Sequence, residues 1–158
     1  FAFPKPLVVA VEGAAIAGGF FPVICSDYRV VGPRASFGLA EVRVGVGMPA
    51  GLMEIIRSML SPNDLRCILQ NGSAIQVDAA IQAGIVDELV ETGGALDQAL
   101  SIARDYAQIS PKAYATVKHQ IRGDTIAFLK QEVEKSASSD HDPWFTEETA
   151  VAMAKMIG

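Results

Sequence analysis

Two short segments of this chain hold residues suited to chemistry. The first is Ala17-Gly18-Gly19, between an apolar run and a stretch that reads as a short helix. Glycine there allows close backbone approach and positive φ. The free amides of a helix's first turn point outward, and the dipole adds partial positive charge. A phosphate or a developing oxyanion suits such a place. Plain packing also uses two glycines at a strand–helix turn, so the segment alone decides nothing. It is not a dinucleotide fingerprint, because Gly13-Ala14-Ala15-Ile16-Ala17-Gly18 lacks the middle glycine of GxGxxG.

The second segment is Phe37-Gly38-Leu39-Ala40-Glu41. A carboxylate between Ala40 and Val42, just after a short apolar strand, is out of pattern. Burial disfavours the charged form of a carboxyl group, which is one way to prepare it for proton transfer. The alternative is an ion pair with Arg43 or Arg34. Other candidates read as structure or solvated surface. Asp27 is expected to bond the backbone of the turn that follows it. His119 and Lys118 are expected on a solvated helix face, with Lys112 and Lys118 the candidates for a phosphate contact. His141 and Asp142 fall in a polar loop without metal-ligand spacing. Met48, Met53 and Met59 read as core or pocket lining. Phe20 and Phe21 read as packing, and Trp144-Phe145 as an anchor for the last helix.

The elements that must position these residues follow from periodicity. Leu7-Val8-Val9-Ala10-Val11 is continuous rather than alternating, as in a parallel strand buried on both faces. A helix over 20–25 follows, tolerating Pro22 in its first turn, then strands over 28–31 and 35–38. From Ala50 the spacing of Leu52, Ile55, Ile56 and Met59 is helical. Ser61-Pro62 starts another helix, which Asn71-Gly72 stops. A short helix over 76–82, a strand over 85–90 and a helix over 95–109 come next. Two helices are expected over 111–122 and 125–135, a polar loop over 136–143 and a final helix over 146–157. This divides the chain into an α/β part, residues 1–93, and a helical part, residues 94–158. A helical tail with an apolar face often serves assembly.

The 158 residues suffice for one core; half are hydrophobic and 20% charged. A formal charge of −5 argues against nucleic acid or an anionic membrane as the main partner. Cys25 and Cys67 form no CxxC motif and read as buried thiols. No signal peptide or bilayer-length apolar run is visible. The default is a soluble, reducing, cytoplasmic setting, with an organellar matrix as the alternative.

Taken together, the residues resemble the enoyl-CoA hydratase/isomerase (crotonase) family. The resemblance runs from Lys5-Pro6-Leu7-Val8-Val9-Ala10-Val11-Glu12-Gly13 through Ala17-Gly18-Gly19 and Ser26-Asp27-Tyr28-Arg29. It continues through Ala35-Ser36-Phe37-Gly38-Leu39-Ala40-Glu41, Gly45, Ala80 and Gly84-Ile85-Val86-Asp87. It implies a crotonase-like (ClpP/crotonase) spiral core of ββα units, incomplete at the N-terminus, with a helical C-terminal region. It also implies an acyl-CoA substrate, in which coenzyme A is part of the substrate and no separate cofactor is needed. A homotrimer or dimer of trimers is expected.

By that resemblance the Gly18 amide is one half of an oxyanion hole, the other half lying in an upstream segment. Glu41 is the proton-transfer carboxylate, and Ala17, Phe21 and Met48 contact substrate. Hydratases of the family carry a further glutamate three residues after the oxyanion glycine, where this chain has Phe21. The pattern is closest to the monofunctional Δ3,Δ2-enoyl-CoA isomerases. The dienoyl-CoA isomerase branch has an Asp where this chain has Pro49. Hydratase or other crotonase chemistry, and a non-catalytic acyl-CoA-binding or assembly subunit, are the alternatives.

Overall fold

The structure is a computed structural model that describes residues 1–136 and 146–157. Two small sheets carry the α/β part. The first has the order β1-β3-β6, with β1 at Val8–Val11, β3 at Tyr28–Val31 and β6 at Glu88–Leu89, all parallel. The second has the order β2-β4-β5, with β2 at Ala14–Ile16, β4 at Ser36–Gly38 and β5 at Ile75–Gln76. In it β2 and β4 are parallel and β5 runs antiparallel to β4. Strand β2 falls in a stretch too small-sided to show a strand pattern, and pairing with β4 makes it one.

Strand β1 is only half-buried over Val8, Val9 and Ala10, not buried on both faces. Among the described residues it pairs with β3 alone, which leaves its other edge unpaired. The strand expected over 85–90 shortens to β6, while Ile85 and Val86 remain buried beneath it.

Between the strands lie α1 at Phe20–Cys25, α2 at Ala50–Met59, α3 at Pro62–Asn71 and α4 at Val77–Gln82. Helix α3 starts and stops where its residue types require. The Ser61 hydroxyl accepts the Asp64 amide at 3.2 Å, Pro62 opens the helix, and Gly72 closes it at φ +61°. A Cβ on Gly72 would lie 2.8 Å from Val42 Cγ1, so the stop also brings α3 against the turn that carries Glu41. The core is built from Phe20, Ile24, Phe37, Leu39, Ile56 and Ile85, all essentially without solvent contact. The rings of Phe20 and Phe37 tilt against each other at 6.4 Å. Met48 and Met59 pack at the edge of this core.

Helices α5 at Ala95–Tyr106, α6 at Pro111–Ser136 and α7 at Glu147–Ile157 complete the chain. Helix α5 lies on β1 and β3, α6 on α2, and α7 on the turn containing Glu41. The Glu12 carboxylate accepts the Ala95 amide at 3.0 Å and so caps α5. The two helices expected over 111–135 are one. A glycine inside a helix costs about 1 kcal/mol relative to alanine. Burial of Arg122 and Thr125 on either side of Gly123 outweighs that. Cys67 lies exposed on α3, against the expectation of a buried thiol. The expectations for His141, Asp142, Trp144 and Phe145 lie outside the described residues.

Candidate active site

The register of β2 on β4 brings the two chemical segments together. Ile16 pairs with Gly38, so Gly18 and Glu41 follow the C-terminal ends of adjacent parallel strands. Such strands lie about 4.8 Å apart. Crevices beyond the carboxyl ends of parallel strands are recurrent ligand sites in α/β proteins.

Ala17–Gly19 form a single 3₁₀ turn, closed by the Phe20 amide donating to the Ala17 carbonyl. The Gly18 amide precedes the first i→i−3 bond of that turn and so has no acceptor within it. Both glycines are exposed, and a Cβ at either would meet nothing within 4 Å. Open space therefore faces the turn. Ala17 has φ +51° and is the one non-glycine with positive φ among the described residues. An L-residue held there stores about 1–2 kcal/mol of strain. The turn is anchored behind by α1, whose Phe20, Val23 and Ile24 are buried.

Glu41 opens a 3₁₀ turn, Glu41–Val44, that ends at Gly45 with φ +72°. Its carboxylate is 6% exposed, and Oε2 has no hydrogen-bond partner among the described residues. Arg43 does not neutralise it. That guanidinium turns away, with Nε donating to the Asn71 carbonyl at 3.0 Å and a terminal nitrogen to Ser73 Oγ at 2.6 Å. Arg34 is exposed. Buried polar atoms are almost always paired, and one that is not marks a place for function.

Phe21 and Met48 are half-buried against the edge of the core. A cavity of about 830 Å³ between α7 and the Glu41 turn is lined by Arg43, Glu147, Glu148, Val151, Ala152 and Lys155. It touches neither Gly18 nor the Glu41 side chain. No group of three or more metal-ligating side chains occurs among the described residues. No helix among them is long and apolar enough to cross a membrane.

Two expectations are corrected. Asp27 does not bond the turn after it. It accepts the Leu7 amide at 2.8 Å and pairs with Lys118 Nζ at 2.5 Å and an Arg122 nitrogen at 3.0 Å. Lys118 is accordingly 8% exposed rather than solvated. Lys118 and Arg122 are four apart on α6, so both side chains leave one face. That spacing, with an acid just after the buried run of α1, was the available signal for the cluster. Arg122 by itself carries no sequence signal, because lone helical arginines are commonplace. His119 and Lys112 are exposed, as expected.

Comparison with known proteins settles the family. The sequence pattern of enoyl-CoA hydratase/isomerase matches residues 1–153. The chain belongs to the enoyl-CoA hydratase/isomerase family. A 2,3-dehydroadipyl-CoA hydratase of Escherichia coli is 35% identical over 123 residues, covering 77% of this chain and 48% of that protein. A carnitinyl-CoA dehydratase of Salmonella arizonae is 30% identical over 122 residues, covering 77% and 47%. This family member therefore spans about half the length of the curated relatives it matches. A solved structure of a Mycobacterium tuberculosis protein, named in one structure an enoyl-CoA isomerase and in another a probable enoyl-CoA hydratase, superposes with a TM-score of 0.81 at 27% identity, covering 87% of this chain and 61% of that one. The fold is crotonase-like α/β, with a long helical C-terminal region.

Proposed function

We propose that the intact protein acts on acyl-CoA thioesters and shifts a 3-enoyl double bond to the 2-position. The observation that carries this reading is the buried Glu41, its Oε2 without a hydrogen-bond partner, following the strand paired with the one that leads into the open Ala17–Gly19 turn. The thioester oxygen would accept from the Gly18 amide and from a second amide upstream. The Glu41 carboxylate takes a proton from the α-carbon, and the electrons move onto the thioester oxygen as a dienolate. The Glu41 carboxylic acid then returns the proton to the γ-carbon, and the double bond settles between the α- and β-carbons. No water and no second base are consumed.

Phe21 supports the one-base reading. A hydratase orients one water between two carboxylates, and a phenyl ring packed on the core edge can do neither part of that work. Hydration is nevertheless the second reading, because the curated relatives are named as a hydratase and a dehydratase. We read coenzyme A as part of the substrate and a homotrimer, or a dimer of trimers, as the assembly.

The test is Glu41→Gln in the intact protein. Isomerisation of a 3-enoyl-CoA should fall by about 100-fold or more while acyl-CoA binding persists. Retained turnover would remove Glu41 from the mechanism. Fast hydration of crotonyl-CoA by the wild type would favour the second reading. Binding without any turnover would make the protein an acyl-CoA-binding subunit.

A further inference from the structure

We infer that Arg122, held by Asp27, is a positioning residue for the Gly18 amide; the inference rests on the thioester reading above and adds the group that fixes its oxyanion turn. Helix α1 has six residues, so about 9 Å separate its ends. The Ala17–Gly19 turn runs directly into one end. At the other, Arg122 Nη1 donates to the Cys25 carbonyl at 2.9 Å and Nη2 to the Ser26 carbonyl at 3.2 Å. The same Nη2 lies 3.0 Å from Asp27 Oδ1. Nη1 also donates to the Phe1 carbonyl at 3.2 Å, and the guanidinium stacks 4.6 Å from the Phe1 ring centroid. The side chain is 8% exposed, so this fork works in a dry, weakly screened setting.

The rest of the cluster ties that fork to the sheet. Asp27 Oδ2 accepts the Leu7 amide at the entry to β1, and Lys118 Nζ bridges Asp27 and the Lys5 carbonyl at 3.1 Å. Three elements meet there: the end of α1, the approach to β1 and the middle of α6. A helix of barely two turns has too few internal bonds to set its own orientation. One face of α1 is fixed by Phe20, Val23 and Ile24, which leaves rocking about that face as its free motion. Arg122 blocks the rocking from the far end. The consequence reaches Gly18 because α1 is a short rigid lever, and a misplacement of about 1 Å at reacting groups can cost about 100-fold in rate. An arginine is required over a lysine, since only a planar fork spans two carbonyls and a carboxylate together.

The experiment compares wild type, Arg122→Ala and Arg122→Lys in the intact protein. Three quantities are read: the Gly18 amide resonance by NMR, the thioester carbonyl stretch of bound crotonyl-CoA by difference infrared, and kcat against KM for a 3-enoyl-CoA. The Gly18 resonance should move in Arg122→Ala, and the carbonyl band should return toward its free position. The kcat should fall at least about tenfold with KM within about threefold, as for a loss confined to the transition state. Arg122→Lys should recover part of each. A folded Arg122→Ala with an unmoved Gly18 resonance and an unmoved carbonyl band overturns the inference, as does a change in KM alone. If Arg122→Ala does not fold, the same two spectra on Arg122→Lys decide by the same criteria. Failure of the thioester reading looks different: wild type would then leave the crotonyl-CoA carbonyl unshifted and turn nothing over. A Gly18 resonance that still moved in the variants would keep the positioning role.

Discussion

Two carboxylates with little solvent contact divide this molecule. Asp27 is surrounded: a backbone amide, an ammonium and a guanidinium converge on it. Glu41 is as well hidden from water, yet its Oε2 is met by nothing among the described residues. A buried charge with every bond made is architecture, because removing one partner leaves the others stranded. A buried acid with a bond unmade holds capacity in reserve, and Glu41 follows the same pair of strand ends as Gly18. The contrast teaches that burial alone does not separate structural from chemical carboxylates. The state of their hydrogen bonds does.

The difference between the two acids should show its largest effect at Glu41. Glu41→Gln should lower isomerase turnover by about 100- to 10,000-fold, the span typical of a lost general acid–base. Its denaturant midpoint should stay level or rise, since a charge without a partner is removed. A clear loss of stability there would mean that Glu41 has a structural partner after all. Asp27→Ala should do the reverse. It strands Lys118 and Arg122 and should cost about 3–5 kcal/mol in denaturant unfolding. A cost below about 1 kcal/mol would demote the cluster to the level of a surface ion pair.

Alkaline titration sharpens the Asp27 side. All three tyrosines of the chain sit in one chain of rings, Tyr28 to Tyr106 at 6.3 Å and Tyr106 to Tyr114 at 5.9 Å. Burial, then the charge of Asp27, pushes the Tyr114 and Tyr106 phenols above their ordinary range. For Tyr28, burial leads and Glu88 adds to it. Above about pH 10 the unfolded chain loses phenol protons that the folded chain keeps. The unfolded state then binds fewer protons, so stability falls as pH rises past that point and is fully present below it. Tyr114→Phe should flatten that alkaline decline, read as the dependence of the denaturant midpoint on pH. An unchanged slope would remove Tyr114 as its source.

The smallest effect concerns Ala17. Glycine there relieves about 1–2 kcal/mol of strain but frees the unfolded chain by about 0.4–1 kcal/mol. Ala17→Gly should therefore stabilise the protein by about 0 to 1.6 kcal/mol by thermal unfolding. Destabilisation would show that the Ala17 methyl is packed.

Much of the fold was legible in the residues. Helices α1, α2 and α3 and strands β3 and β4 follow from spacing, a serine cap and a glycine stop. Strand β2 was not, because Ala14-Ala15-Ile16 has no pattern of its own and exists through pairing with β4. The continuity of α6 through Gly123 was likewise hidden, since helix propensity sees one residue and burial of its neighbours decides. At the candidate site, Gly18 and Glu41 stood out by type and by their order in a family pattern. The partners of Asp27 did not, because Lys118 and Arg122 lie 91 and 95 positions further along the chain.

The sequence by itself determined which residues could react, since a glycine turn and an out-of-pattern acid are local facts. The tertiary structure decided which acid is spoken for. Hydrogen bonds between distant segments assigned Asp27 to Lys118 and Arg122 and left Glu41 with an oxygen unclaimed. Local sequence offers at most the four-residue spacing of Lys118 and Arg122 and does not name their partner, because the pairing forms only when packing brings α6 against the end of α1.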